Sequence, residues 1–153
     1  MVKCKILLWS PQGAGLHYSG AGKNAYRLYQ NFDRERFSVS LAHGYPGHER
    51  MDLFEEQYYI ADAIQNSPFK LLNFLGCAKR WLKAHAERFD VVHVLDVFEM
   101  SMRPAGYAKS LGLPVYVKVA NSGTGFMNSG RLSCLLNLPG KRLEIAKRLD
   151  GLI

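Results

Sequence analysis

Short apolar runs alternate along this chain with segments of helical period, and that alternation constrains the fold more than any single motif does. Residues 4–10 form a mostly apolar run stopped by Pro11, residues 37–42 alternate apolar with polar side chains, and residues 57–61 are a weaker strand candidate. Residues 90–96 and 114–120 complete the set of strands. Between them, residues 22–32, 68–89 and 101–111 read as helices, the second capped by Ser67 and the third closed by Gly112. In the second, Leu71, Leu72, Leu75, Ala78, Leu82 and Phe89 set the period. Strands separated by helices run parallel, because right-handed crossovers lay each helix back on the sheet. The expected class is α/β, a three-layer sandwich with a mostly parallel sheet.

Composition is consistent with one such domain. The 153 residues are 48% hydrophobic and 22% charged, ordinary values for a chain that buries its own core. The apolar runs are far shorter than a membrane span, and the first strand starts so close to Met1 that no signal peptide is predicted. Cys4, Cys77 and Cys134 are widely spaced and odd in number, which disfavours a disulfide framework or a metal knuckle and predicts a cytoplasmic location.

The first strand runs into a loop carrying Gly13, Gly15, Gly20 and Gly22 before helical spacing resumes. A loop of this kind lets a ligand reach bare backbone at the positive end of a helix, where phosphates and sugar hydroxyls meet N–H donors. Two familiar motifs nearly fit. A Walker A loop needs glycine where His17 stands and a hydroxyl where Asn24 stands. Residues 20–25 match the dinucleotide pattern, but they lie well beyond the strand, and the second strand runs into His43 and Gly44 where a ribose-binding carboxylate belongs. A branched side chain at Gly22 is expected to block backbone approach while leaving the fold intact.

In a parallel sheet, ligands bind beyond the carboxyl ends of the strands, where strand order reverses. That rule selects the glycine loop with His17, the segment 43–50, the segment 96–102 with Asp96 and Glu99, and the segment 121–126 with Asn121, Ser122 and Thr124. Asp96 and Glu99 suit orientation of a sugar hydroxyl or proton transfer, against a reading in which Asp96 caps a turn and Glu99 is solvated. His93, inside an apolar strand, reads as a buried, hydrogen-bonded imidazole. His43, His48 and Asp52 are weak metal ligands by spacing, and no metal is expected.

Several of these features together resemble one family. The start at residues 5–11 with its glycine loop, the strand at 89–94 and the run 108–115 are similar, in order and spacing, to the N-terminal half of glycosyltransferase family 4, retaining enzymes of the GT-B type. The resemblance covers nearly the whole chain. It implies a Rossmann-like domain that chiefly binds the acceptor, with Gly20 and Gly22 presenting backbone to the donor diphosphate and Asn24 beside them. It further implies a nucleotide-sugar donor as substrate, a glycan or lipid-linked acceptor, no cofactor, and a C-terminal donor-binding domain beyond this chain. Residues 147–153 read as a helix handing over to a new strand, which predicts a truncated domain. Many relatives carry a histidine after the fifth strand; here Lys118, Asn121 and Ser122 occupy that stretch. Such an enzyme fits cell-surface polysaccharide synthesis. The competing class is a stand-alone nucleotide or dinucleotide-binding module.

The formal charge of +7 adds one expectation. Lys70, Lys79, Arg80, Lys83 and Arg88 decorate the long helix around Trp81. Basic residues beside an exposed aromatic would rest on an anionic membrane surface, placing the protein at its inner face, whereas a solvated helix face is the plainer reading. The aromatic residues form no stacking platform on one strand, and nucleic acid is not an expected partner.

Overall fold

The central strand β1 (Cys4–Trp9) explains the architecture, because its inner residues are buried on both faces. In the computed structural model, which describes residues 2–18, 20–63, 67–118, 145 and 147–152, Leu7 and Trp9 pack on one side and Ile6 and Leu8 on the other. A strand apolar at every position can be satisfied only between two helical layers. The other strands are β2 (Phe37–His43), β3 (Gln57–Tyr59), β4 (Val91–Val94), β5 (Val115–Val117) and β6 (Gly151–Leu152). The order is β3-β2-β1-β4-β5-β6, and every pairing is parallel. The sequence-based class is therefore the observed one: an α/β, Rossmann-like sandwich.

Helix α1 (Gly20–Tyr29) covers one face, where Ala25 and Tyr29 pack with Ile6, Leu8, Val39 and Leu41. Helices α2 (Pro68–His85) and α3 (Glu99–Ser110) cover the other, with Phe74, Ala78, Leu82, Met102 and Ala105 against Leu7, Trp9, Val92 and Val94. Ser67 caps α2 by accepting from Phe69 N at 3.3 Å. The helix ends four residues earlier than its apolar period suggests, because residues Ala86–Arg88 tighten into a 3₁₀ turn that brings Phe89 into the core.

One expectation about α2 is corrected by this packing. Trp81 is not an exposed aromatic among basic residues: its ring lies 6.3 Å from Trp9 and 4.8 Å from Tyr58, and stacks on His85 at 4.6 Å. The buried stripe is Phe74, Ala78 and Leu82, at i, i+4 and i+8, and Trp81 adjoins it. Lys79, Arg80 and Lys83 do face outward, while Phe69 and Leu72 at the start of the helix are 80% and 66% exposed.

Candidate functional site

Strand order reverses between β1 and β4, and the loops leaving these strands meet there. The loop after β1 begins as a tight turn. Ser10 continues the ladder by donating its N–H to Ala42 O at 3.0 Å, and its hydroxyl donates to Gly13 O at 2.7 Å. Gly13 N–H donates back to Ser10 O at 2.9 Å, and the φ of +83° that closes the turn selects glycine. Gly22, buried in the first turn of α1, lies directly beneath: a Cβ there would sit 2.5 Å from Gly13 O and 3.2 Å from Ala14 Cα. Its lack of a side chain lets helix and loop touch. The expectation that a branched residue at Gly22 would spare the fold is therefore corrected by this close approach. Gly20 differs, with open space where its Cβ would be.

A second loop holds the first. His48, in the segment after β2, places Nε2 3.1 Å from both the N and the O of Ala14. With Nδ1–H donating to Glu49 O at 2.8 Å, Nε2 of the neutral ring accepts from Ala14 N–H. Tyr18 stacks on this imidazole at 4.4 Å, and its hydroxyl accepts from Glu49 N–H at 3.1 Å. Also 4.4 Å from the His48 ring is the ring of His43, the last residue of β2. Burial, reinforced by His48, pushes His43 down to about 4 against a smaller opposing effect of the Tyr45 backbone. Among the described residues no group of three or more His, Cys, Asp or Glu could hold a metal ion.

The residues expected at the site are distributed unevenly. His17 is exposed in the glycine loop, and Asn24 is exposed on α1. Asp96 accepts Phe98 N–H at 3.0 Å, so it shapes the turn into α3. Burial pushes its carboxyl above the usual carboxylate range, opposed by hydrogen bonds from Ser101 and Phe98. Glu99 is 8% exposed and forms an i,i+4 ion pair with Arg103. Lys118, directly after β5, donates its N–H to Val94 O at 2.8 Å, and its charge helps burial hold His93 near 4. His93 Nδ1 lies 2.5 Å from the Tyr29 hydroxyl, an internal bond between β4 and α1. Asn121, Ser122 and Thr124 lie outside the described residues.

The structure thus joins the loops after β1 and β2 through His48, Tyr18 and Ala14. Sequence reasoning placed His48 in the ligand-facing segment 43–50 and weighed it as a weak metal ligand, but missed its tie to the glycine loop and missed Tyr18. The one signal in the chain is the concentration of His and Tyr between residues 43 and 59.

The sequence matches no family model and no curated protein sequence. Its fold does have counterparts among solved structures. Sucrose-phosphate synthase from Thermosynechococcus elongatus superposes on 98% of the chain with a TM-score of 0.65 and 14% identity. Acinetobacter baumannii MurG covers 97% with a TM-score of 0.58 and 15% identity. A UDP-glucosyltransferase from Polygonum tinctorium, solved in complex with 3,4-dichloroaniline and capable of glucosylating indoxyl, covers 94% with a TM-score of 0.51 and 12% identity. The likeness is one of fold: these three proteins contain the same α/β, Rossmann-like sandwich. The chain spans 42%, 40% and 34% of those three proteins, respectively. No helix of the described residues is long and apolar enough to cross a membrane.

Proposed function

We propose that the chain is the acceptor-side, N-terminal half of a retaining glycosyltransferase of family 4. In this reading a C-terminal domain holds the nucleotide-sugar donor, and the sugar passes to a glycan or lipid-linked acceptor in cell-surface polysaccharide synthesis. The observation that carries it is the GT-B-type fold along almost the whole chain, with a glycine loop leaving the central strand at the point where strand order reverses. The first turn of α1 brings the partial positive charge of a helix start toward that loop, which favours a diphosphate. Gly20, with nothing within 4 Å of its Cβ position, suits close backbone approach; Gly22 supports the loop from beneath. His17, Asn24 and Lys118 remain the donor- or acceptor-facing side chains of this proposal, with Asn121 and Ser122. Asp96 and Glu99 act by shaping the start of α3.

The test is to express the gene at full length and incubate it with UDP-, GDP- and ADP-sugars, following nucleotide release and product anomer by NMR. Nucleotide release with retained anomeric configuration supports the reading. Binding of NAD in place of any sugar nucleotide would favour the stand-alone dinucleotide-binding module.

A further inference from the structure

A cleft of about 530 Å³ opens at the β3 edge of the sheet, beside the glycine loop but outside the β1–β4 crevice. It falls within the usual size range of small-molecule sites. Six side chains define its chemistry: His43, Tyr45, Arg50, Glu55, Gln57 and Tyr59. Two of them present rings to solvent, Tyr45 at 43% and Tyr59 at 53% exposure. His43 is the opposite case. It is 6% exposed; its Nδ1 is sealed from solvent with no hydrogen bond of good geometry among the described residues, and the Tyr45 backbone is the polar group that bears on the ring. A buried imidazole so weakly satisfied in the wall of a cleft gains from a ligand hydroxyl that gives the ring a further partner.

The other groups narrow the ligand class. Arg50 and Glu55 make no ion pair among the described residues, and Glu56 beside them is paired with Arg88. Charges of both signs line the wall, so a phosphate would meet carboxylates as well as a guanidinium. An apolar ligand would strip water from Arg50, Glu55 and His43 without replacing it. A sugar ring offers apolar C–H faces for the tyrosines and hydroxyls that both donate and accept. His43, neutral above about pH 4, can serve either kind of hydroxyl contact.

We propose that this cleft is a subsite for a neutral saccharide, with the sugar face on Tyr59 and Tyr45 and a hydroxyl on His43. It deepens the glycosyltransferase reading, on which its role as acceptor subsite rests, by making the acceptor an oligosaccharide with one unit held away from the reacting end. The cleft reaches the glycine loop through His48, which lines its wall. His43 and His48 are ring neighbours, and His48 bonds Ala14, so a sugar on His43 bears on the loop that faces the donor.

The experiment is a protein-observed NMR titration of this protein with neutral gluco-, galacto- and manno-trisaccharides, with inorganic phosphate as the anion probe. At least one trisaccharide should bind at millimolar concentration and shift the ring resonances of His43 and Tyr59. Tyr59→Ala should weaken that binding about fivefold, since an aromatic contact contributes roughly 1 kcal/mol. Tyr116→Ala, which removes an exposed ring on β5, should leave it unchanged. The proposal fails if no trisaccharide moves His43 or Tyr59, if Tyr59→Ala binds like the unaltered protein, or if phosphate alone produces the shifts. Saccharide binding in a full-length protein that turns over no nucleotide sugar would leave the subsite standing and remove the transferase reading. Nucleotide-sugar turnover without saccharide binding at the cleft would do the reverse.

Discussion

Gly20 and Gly22 stand two residues apart in the first turn of α1, and replacing each by alanine should move stability in opposite directions. At Gly20 a methyl group meets nothing within 4 Å, so the substitution only restricts the unfolded chain and improves helix propensity. The expected gain is about 0.5 kcal/mol. At Gly22 the same methyl would sit 2.5 Å from Gly13 O. That oxygen cannot move away freely, because it accepts the Ser10 hydroxyl, and Gly13 N–H is tied to Ser10 O in a turn that needs positive φ. Relief requires stretching one or both bonds or pushing α1 off the sheet, at about 1–3 kcal/mol, against a propensity gain of up to about 1 kcal/mol. Gly22→Ala should thus be destabilised by about 1–2 kcal/mol and should lie roughly 2 kcal/mol below Gly20→Ala. Urea unfolding of the two variants, read by circular dichroism with a common m-value, measures this directly. Equal midpoints, or a stabilised Gly22→Ala, would refute the claim that the loop rests on Gly22.

Acid should weaken the fold through two histidines: His43 and His93 are both held near 4 in the folded chain, so the unfolded chain takes up more protons between about pH 4 and 6.5. Their contribution is complete above pH 6.5 and is lost as pH falls, at up to about 1.4 kcal/mol per pH unit for His93 and less for His43 at its cleft. Urea midpoints between pH 7 and pH 5 should fall accordingly and His93→Gln should flatten the slope, whereas a flat profile in the unaltered protein would contradict both burial assignments. Trp81→Ala should cost about 3 kcal/mol of stability, checked by the same unfolding assay, because its ring packs on Trp9, Tyr58 and His85. If α2 lies on an anionic membrane, exchanging Lys79, Arg80 and Lys83 for Glu should abolish sedimentation with phosphatidylglycerol vesicles, at about 1 kcal/mol per residue, and added salt should weaken binding. This chain by itself should neither transfer nor hydrolyse a nucleotide sugar; robust turnover by the purified 153-residue protein would overturn the two-domain proposal.

The sheet was legible because its strands carry their own signal. Val92 and Val94, Leu7 and Leu8, and Leu41 are apolar where a two-sided core demands it, and Ser67 is a cap that any α2 starting at Pro68 would need. Boundaries were less legible. β5 ends at Val117, before Lys118, and α3 starts at Glu99, two residues early, because Asp96 turns the chain at Phe98. Trp81 was misplaced because Leu72 was read into the stripe with Ala78 and Leu82, whereas Leu72 is exposed and Phe74 is the buried residue of that turn. The link from His48 to Ala14 crosses 34 residues and joins a side chain to backbone, so no local pattern could announce it. The same holds for Gly22, whose neighbour is a carbonyl in the preceding loop.

The seam between β1 and β4 has a kinetic consequence. Cys4 finds Phe37 across 33 residues, whereas Lys5 and Asp90, which bond reciprocally at the start of the seam, are 85 apart. Closing the longer loop costs about 0.8 kcal/mol more in chain entropy, and this favours a unit of β1, α1 and β2 that forms before β4 docks. The turn after β4 therefore meets the glycine loop only late in folding, at the same join where strand order reverses. A ligand that touches both would act as a staple across that join, slowing the undocking of β4 with little effect on the rate at which the first unit forms.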